Sequence, residues 1–216
     1  MSRRSVSRKK LESYLQEVDV FDNPKMQLEQ YPTTPHLAAS MLHTIHTHFN
    51  DLEGKCVADL GVGSGVLSLG CSMLGCSYVL GVDIDPEALA ICANNISEFD
   101  ITNIDLLHCD IRSLVNHPGR LHGAFDVVVM NPPFGTKNNQ GIDMLFLQAG
   151  LALARTSVYS LHKTSTREHI LRTAKQCGVE AEVVARLEFD LANTLWCHKS
   201  ESVDIKVDFY RFSHKT

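Results

Sequence analysis

From about residue 55 onward, short apolar runs alternate with segments that have the apolar spacing of an amphipathic helix. This alternation predicts strand–helix–strand units, whose right-handed crossovers build a buried parallel sheet. The runs predicted as strands are Cys56–Leu60, Tyr78–Val82, Ile104–Leu107, Phe125–Met130 and Ser157–Leu161. The segments predicted as helices are Ser64–Leu74, Pro86–Phe99, Ile142–Ala154 and Ser165–Cys177. The fold class is therefore predicted to be α/β.

Capping residues support these helix boundaries. Asp85 precedes a proline, which is the arrangement of an N-cap followed by proline at the first helical position. Ser165 and Glu168 have the spacing of a capping box. Gly75 and Gly178 lie where two of the predicted helices should end.

The apolar pattern changes near the end of the sequence. Glu182–Asp190 and Ser202–Phe212 are longer and alternate between apolar and polar residues, which predicts an antiparallel hairpin. In the second strand, Val207 and Phe209 fall on one face and Asp208 on the other. A mostly parallel seven-stranded sheet closed by a C-terminal antiparallel hairpin is typical of Rossmann-like class I methyltransferases.

Length and charge predict one domain, residues 25–214, preceded by a basic extension, residues 1–24. The net charge of −5 disfavours nucleic acid as a partner, but five basic side chains cluster in the extension. They are Arg3, Arg4, Arg8, Lys9 and Lys10. The extension could follow a phosphate backbone or simply be solvated. No apolar run is long enough to span a bilayer, so no membrane association is predicted.

Cysteine and histidine usage argues against disulfides and metals. The seven cysteines form no CxxC pair, which favours reduced thiols in an intracellular compartment. His43, His46 and His48 are close in sequence, but no cysteine or carboxylate lies at a useful spacing from them. We predict no metal site.

A glycine-rich turn after the first predicted strand indicates a nucleotide-type cofactor. Gly61, Gly63 and Gly65 allow a tight turn that a ligand can approach closely. A dinucleotide fingerprint requires glycine at position 66, where this chain has Val66. The GxGxG form, with Asp59 two residues before the first glycine, resembles instead the first motif of methyltransferases, in which that aspartate helps position the loop near the methionine part of the cofactor.

Two carboxylates after the next strands extend this cofactor site. Asp83 ends the second predicted strand, 20 residues after Gly63, where it can accept hydrogen bonds from both ribose hydroxyls. Asp110 follows the third predicted strand and can accept from an adenine amino group. A plain loop residue is the alternative for Asp110.

Asn131-Pro132-Pro133-Phe134 follows the fourth predicted strand and is the predicted catalytic motif. The prolines end the strand and fix an extended backbone. The Asn131 amide oxygen and a proline carbonyl can each accept one N–H of an exocyclic amine, and Phe134 can stack on a base. Transfer of a methyl group would be direct and in line, without a strong general base.

Several stretches together resemble the eukaryotic methyltransferase-like protein 5 family over nearly the whole chain. They are residues 28–33, the glycine turn, residues 131–139 and residues 159–163. The resemblance implies S-adenosylmethionine as cofactor, with Gln30, Tyr31 and Thr33 closing over it. It also implies methylation of N6 of one adenosine in small-subunit (18S) ribosomal RNA, and it places His162 and Lys163 in a loop near the substrate pocket.

The family works as a heterodimer with a small zinc-containing activator protein, which we expect to add along the edge strand at residues 104–107. The resemblance further implies a location in the nucleus, including the nucleolus, and in the cytoplasm. Other acceptors stay open at this stage: a glutamine side chain in a protein, a guanine amino group, or DNA. A catalytically silent binding module is the alternative of another class.

Overall fold

A seven-stranded mixed sheet forms the centre of the computed structural model, which describes residues 6–135, 139–190 and 204–214. The strands are β1 (Cys56–Leu60), β2 (Tyr78–Asp83), β3 (Ile104–His108), β4 (Phe125–Met130), β5 (Ala154–Lys163), β6 (Val179–Asp190) and β7 (Asp204–His214). Their order is β3-β2-β1-β4-β5-β7-β6. Strands β1 to β5 pair in parallel, whereas β7 lies antiparallel between β5 and β6. The predicted fold class is confirmed.

Helices cover both faces of this sheet. They are α1 (Arg8–Leu15), α2 (Pro35–Thr44), α3 (Val66–Met73), α4 (Pro86–Glu98), α5 (Ile111–Asn116), α6 (Ile142–Leu153) and α7 (Arg167–Gln176). Successive side chains of β4 point to opposite faces, so Val127 joins the core beneath α1, α2 and α3, and Val128 joins the core beneath α5, α6 and α7. None of the described helices is long and apolar enough to cross a membrane.

The predicted strands and several helix ends are confirmed. Each predicted strand overlaps an observed one, and the bounds of β1 and β4 agree fully. Asp85 caps α4 by accepting a 3.1 Å hydrogen bond from the backbone N–H of Glu87. Gly75 and Gly178 adopt left-handed backbone conformations directly after α3 and α7, as helix-ending glycines do.

Two predicted helix starts are wrong. The helix predicted from Ser64 begins at Val66, because Gly65 adopts a left-handed conformation (φ 93°) that cannot belong to the helix. The helix predicted from Ser165 begins at Arg167, because residues 164–166 form a 3-10 turn. Thr166 is the N-cap residue and makes no side-chain capping bond, so the capping box predicted for Ser165 is absent.

Strand β7 is buried on both faces along part of its length. Val207 and Phe209 lie in the core as predicted, but Asp208 on the other face is also fully buried. Its carboxylate accepts two hydrogen bonds from the Arg167 guanidinium, at 2.6 and 2.7 Å. This pair therefore ties α7 to the hairpin.

The basic extension contains a helix that packs on the domain. Leu11 and Leu15 of α1 are buried in the same core as α2 and α3. An added Cβ at Gly70 of α3 would collide with Leu42 of α2 and would lie 3.6 Å from Leu15 of α1, so the three helices approach closely there. The boundary between residues 24 and 25 stays a prediction, and the first five residues lie outside the described ones.

We expect Leu11→Ala to destabilise the whole domain rather than release a loose extension. Leu11 has no exposed surface, and removing a buried leucine side chain costs about 2–5 kcal/mol of unfolding free energy. Urea unfolding followed by circular dichroism measures this loss. Lys9→Ala, at an exposed position of the same helix, is the control and should change the unfolding free energy by less than about 0.5 kcal/mol. Equal stability of Leu11→Ala and wild type would contradict the packing.

Candidate functional site

A pocket lies where β1, β2 and β4 end. Strand order reverses at β1, and ligands bind at such switch points in open α/β sheets. Ten of the residues predicted from the sequence line it: Gln30, Tyr31, Thr33, Asp59, Gly61, Gly63, Asp83, Asp110, Asn131 and Pro133. Gly65, Pro132 and Phe134 are not among its lining residues. The pocket thus joins the predicted cofactor and catalytic halves of the site.

The glycine turn leaves room for a ligand because side chains are missing from it. Gly61 has a φ of 73°, and an added Cβ would lie 3.1 Å from the ring of Phe146. Gly63 has a φ of 55° and donates its N–H to the Asp83 carboxylate over 2.9 Å. Gly65 instead allows the start of α3 to pack closely against α4, since a Cβ there would lie 2.6 Å from the sulfur of Cys92 in α4.

Asp83 is held in place by backbone groups on both sides. One carboxylate oxygen accepts from the Gly63 N–H, and the other accepts from the Asp85 N–H at 2.9 Å. Burial raises the pKa of Asp83, and these two hydrogen bonds partly offset that effect. Each carboxylate oxygen has a second lone pair, so the group can still accept hydrogen bonds from a ligand.

Asp59 is the most deeply buried carboxylate of the pocket. It is 1% exposed, and one oxygen accepts a 2.7 Å hydrogen bond from the Ser68 hydroxyl. The other oxygen, Oδ1, is buried and accepts no hydrogen bond from the described residues. Burial raises the pKa of Asp59 to about 7, against the opposing effect of the Ser68 bond. A cationic group of a ligand is the natural partner for this carboxylate.

Asp110 also lines the pocket, and its carboxylate caps a helix. It accepts the backbone N–H of Arg112 at 2.9 Å, at the start of α5, and pairs with the Arg112 guanidinium at 3.2 Å. Contact of Asp110 with an adenine amino group stays a prediction. Helix α5 was not predicted, because its six residues are too short to show a clear period.

Asn131 lines the pocket and carries an unsatisfied buried acceptor. Its amide nitrogen donates to the Thr33 hydroxyl over 3.0 Å, whereas Oδ1 is buried and has no hydrogen-bond partner among the described residues. A buried oxygen of this kind costs free energy unless a ligand donates to it. Pro133 lines the pocket beside it, while Pro132 and Phe134 are buried. The predicted stacking of Phe134 on a base is not tested by this arrangement and stays a prediction.

The segment of residues 19–33, which we call the strap, covers the pocket. Its first part is tied to α4, where the Asn95 side chain bonds both the N–H and the carbonyl of Asp19 at 3.0 Å. Its middle is tied to Asp85, which accepts from Lys25 at 2.8 Å and from Gln30 at 2.6 Å.

Its later part is tied to the loop after β4. The Asn139 side chain donates to the Gln27 carbonyl at 2.7 Å and to Glu29 at 3.3 Å. Sequence reasoning missed these anchors, because each links positions at least 55 residues apart. Residues 136–138, part of the extended motif, lie outside the described residues.

His162 and Lys163 were predicted in a loop, and that prediction is wrong. Both belong to β5, where the apolar pattern of the strand extends further than expected. His162 is 1% exposed, and its ring nitrogen Nε2 lies 3.0 Å from the Ser160 hydroxyl. Its other ring nitrogen lies 3.7 Å from Asp143 in the first turn of α6. Across the described residues, no three potential ligand side chains come together to hold a metal ion.

The chemistry of the pocket fits S-adenosylmethionine. This cofactor carries a sulfonium and an ammonium, and buried Asp59 offers an oxygen with no protein donor. Asp83 offers remaining acceptor capacity for ribose hydroxyls, and Ile84 and Ile111 provide apolar lining next to it. The glycine turn leaves room for the cofactor, because its glycines carry no side chains. An acidic pocket with apolar sides therefore suits a cationic nucleoside.

The raised pKa of Asp59 predicts a pH-dependent effect of Asp59→Asn on stability. The pKa of Asp59 in the folded protein, about 7, exceeds the ordinary aspartate value of 3.8, so between these two pH values the folded protein holds a proton that the unfolded chain has lost. The stability contribution of Asp59 therefore falls as pH rises from about 4 to about 7. Relative to wild type, Asp59→Asn should gain stability as the pH rises from about 4 to about 7, by about 1.4 kcal/mol per pH unit at most, and should gain no more above that range.

Urea unfolding of both proteins at several pH values measures this difference. Glu98→Gln, the same carboxyl-to-amide change at an exposed position of α4, is the control. A difference between Asp59→Asn and wild type that does not change with pH would show that Asp59 ionises normally.

Known proteins are similar to this chain in sequence and structure. A family profile described as "Ribosomal protein L11 methyltransferase (PrmA)" matches residues 30–132. The rRNA N(6)-adenosine-methyltransferase METTL5 of Danio rerio is 53% identical over 95% of this chain and 98% of its own length. That of Drosophila melanogaster is 46% identical over 94% and 95%.

A crystal structure of a candidate RNA methyltransferase from Pyrococcus horikoshii superposes with a TM-score of 0.81. The two chains are 31% identical, and the match covers 99% of this chain and 98% of the other. The METTL5 proteins share about half of their residues with this chain over nearly their whole length, which is more similarity than a shared fold requires. The chain belongs to the METTL5 family of rRNA N(6)-adenosine-methyltransferases.

Proposed function

We propose that this protein is an S-adenosylmethionine-dependent methyltransferase that modifies N6 of adenosine in small-subunit (18S) ribosomal RNA. The observation that carries the proposal is the unsatisfied Oδ1 of Asn131 in the same pocket as Asp59 and Asp83. One wall of the pocket suits a cationic nucleoside cofactor, and another offers an acceptor for an amine. Membership of the METTL5 family supports RNA adenosine as the substrate.

Several residues would hold the cofactor. Asp83 would accept hydrogen bonds from its ribose hydroxyls, Asp59 would hold its methionine part, and Gly61 and Gly63 would let it approach the backbone. The strap, with Gln30, Tyr31 and Thr33 at its end, covers it. S-adenosylmethionine supplies a methyl group on a sulfonium, which is activated for direct in-line transfer.

The catalytic motif positions the acceptor amine. Asn131 Oδ1 accepts one N–H of the exocyclic amine, and a proline main-chain carbonyl of the same motif accepts the other. Both acceptors are held on a rigid segment, so the nitrogen lone pair is directed toward the methyl group before the reaction. The proton is lost after transfer and requires no strong base. Rate enhancement comes chiefly from positioning and from excluding water.

The acceptor adenine must leave its stack to reach this pocket. Single-stranded or looped RNA allows this at the lowest cost in free energy, whereas a duplex resists it. We therefore favour an unpaired ribosomal adenosine over DNA. Action on ribosomal RNA is consistent with the proposed location in the nucleus, including the nucleolus, and in the cytoplasm.

We expect Asn131→Ala to abolish methyl transfer while leaving cofactor affinity within about twofold of wild type. The variant loses the acceptor for the amine but none of the carboxylates proposed to hold the cofactor. The assay offers labelled S-adenosylmethionine and total RNA to the full chain, with nucleoside mass spectrometry as readout, and calorimetry measures cofactor affinity. Asn94→Ala, at an exposed position of α4, is the control and should keep full activity.

The outcomes of this assay separate the alternatives. N6-methyladenosine in small-subunit RNA supports the proposal, and label found only in protein would redirect it to a glutamine acceptor. Tight cofactor binding by wild type without any transfer would favour a binding module. Equal loss of cofactor affinity in Asn131→Ala would remove Asn131 from its role toward the amine.

We further propose that a small zinc-containing activator pairs with the free edge of β3, which forms the end of the sheet. An apolar groove runs beside this edge and is lined by residues that include Tyr78, Leu106, Leu107, Leu121 and Phe125. An edge strand offers unpaired backbone groups, and an apolar groove next to it offers area to cover.

Leu107→Arg should remove this interaction, because a charged side chain in the groove loses its hydration when a partner covers it. Co-expression with the activator, followed by affinity purification of the complex, measures the loss. Glu98→Arg, at an exposed position of α4, is the control for added charge and should retain the partner. Retention of the activator by Leu107→Arg would place its binding surface elsewhere.

A further inference from the structure

We propose that Asp85 is a positioning residue for the cofactor, because it fixes the strap relative to the carboxylate assigned to the ribose, Asp83. The inference deepens the proposed function and rests on the assignment of the pocket to S-adenosylmethionine. Asp85 is 3% exposed and is not among the residues that line the pocket. It therefore acts on the cofactor through the groups that it holds.

Asp85 holds both ends of one turn of the strap. One carboxylate oxygen accepts from the Lys25 ammonium at 2.8 Å, and the other accepts from the Gln30 amide at 2.6 Å. The oxygen of that amide accepts from the backbone N–H of Lys25 at 2.8 Å, which closes the turn. Lys25, Gln30 and Asp85 thus form a closed set of hydrogen bonds, which we call the strap ring.

The chemistry of its groups fixes every donor and acceptor of the strap ring. A backbone N–H can only donate, so the oxygen of the Gln30 amide must face Lys25. Burial alone would raise the pKa of Asp85, but hydrogen bonds from Lys25 and Gln30 outweigh this effect and lower the pKa below its usual value. The ionised carboxylate can only accept, so the NH2 group of Gln30 must face Asp85. Both requirements give the same orientation of the amide.

The turn inside the strap ring forms part of the pocket. Residues 27–33 all line the pocket. Within the turn, Glu29 has a left-handed φ of 51°, which costs free energy for a residue with a side chain. Such a conformation persists where surrounding contacts hold it. The strap ring encloses Glu29 between Lys25 and Gln30, so it holds the strained turn in place.

A second part of the pocket begins beside the same carboxylate. Asp83 and Ile84 directly precede Asp85 and line the pocket. The backbone N–H of Asp85 donates to the Asp83 carboxylate at 2.9 Å, and its side chain caps α4 through the Glu87 N–H. One residue therefore joins the ribose carboxylate, the strap and α4. A cofactor that contacts both Asp83 and the strap gains affinity because the protein has already fixed their separation.

Asp85→Asn tests the strap ring and leaves the helix cap, because asparagine caps helices as well as aspartate does. An amide has an acceptor on one side only, so either Gln30 or Lys25 must face its NH2 group. We expect the Kd for S-adenosylmethionine to rise about tenfold, as loss of one hydrogen bond to a charged group implies. With saturating cofactor, kcat should stay within about twofold of wild type, because the groups that align the amine are unchanged.

Calorimetry with S-adenosylmethionine measures Kd, and methylation of RNA by the full chain measures kcat. Asp100→Asn, the same change at an exposed position, is the control and should keep the wild-type Kd.

A double variant separates the strap ring from general damage to the fold. Gln30→Glu alone places two carboxylates against each other and should weaken cofactor binding. When Gln30→Glu is combined with Asp85→Asn, the introduced amide can donate to the introduced carboxylate, so the ring closes with donor and acceptor exchanged. The double variant should bind the cofactor at least about threefold more tightly than either single variant.

Three results would overturn the inference: an unchanged Kd in Asp85→Asn, a fall in kcat at saturating cofactor as large as the loss of affinity, or a double variant that binds no better than the single ones. Failure of the wild-type chain to bind S-adenosylmethionine would refute the proposed cofactor site and this inference with it. Cofactor binding by wild type without methylation of RNA would refute the proposed reaction alone, and the Kd comparisons would still decide the role of Asp85.

Discussion

Parallel pairing of β1 with β2 on one side and with β4 on the other is the constraint on which the site depends. Parallel strands end at the same edge of a sheet, so the residues that follow them meet although they are distant in sequence. Gly61 and Asn131 directly follow β1 and β4, and Asp83 is the last residue of β2, which lies between β1 and the sheet edge at β3. This arrangement alone brings a glycine turn, a carboxylate and an amide to one pocket. The antiparallel hairpin closes the far end of the sheet and leaves this edge free.

Much of this arrangement can be read from the sequence, because it rests on local signals. Buried parallel strands are short apolar runs, and Asp85 with its following proline marks a helix start that the structure confirms. The start of α7 could not be read in this way. Residues 164–166 prefer a 3-10 turn packed beside the buried Asp208, which bonds the Thr164 hydroxyl at 2.9 Å. Tertiary contact overrides the local capping pattern there.

The resemblance predicted that Gln30, Tyr31 and Thr33 close over the cofactor, but the anchors of the strap could not be predicted, since they are single hydrogen bonds between distant positions. Asn95 illustrates this: it is a polar residue inside a helix, and nothing local distinguishes it from its exposed neighbour Asn94. Only the fold reveals that it is fully buried and bonds the backbone of both Asp19 and Ser64. One side chain thus joins the strap to the glycine turn, and replacing it by an apolar residue would leave buried backbone groups without partners.

The charges of the protein affect the cofactor and the RNA in opposite ways. Carboxylates at Asp59 and Asp83 favour a cation in the pocket and repel phosphates, and the net charge of the chain is −5. An RNA substrate is therefore not attracted by the overall field of the protein. A neutral base can enter the pocket without this repulsion, provided that its phosphates stay outside. Affinity for RNA must then come from local basic surface or from a bound partner, whereas the pocket itself contributes selection of the base and alignment of its amine.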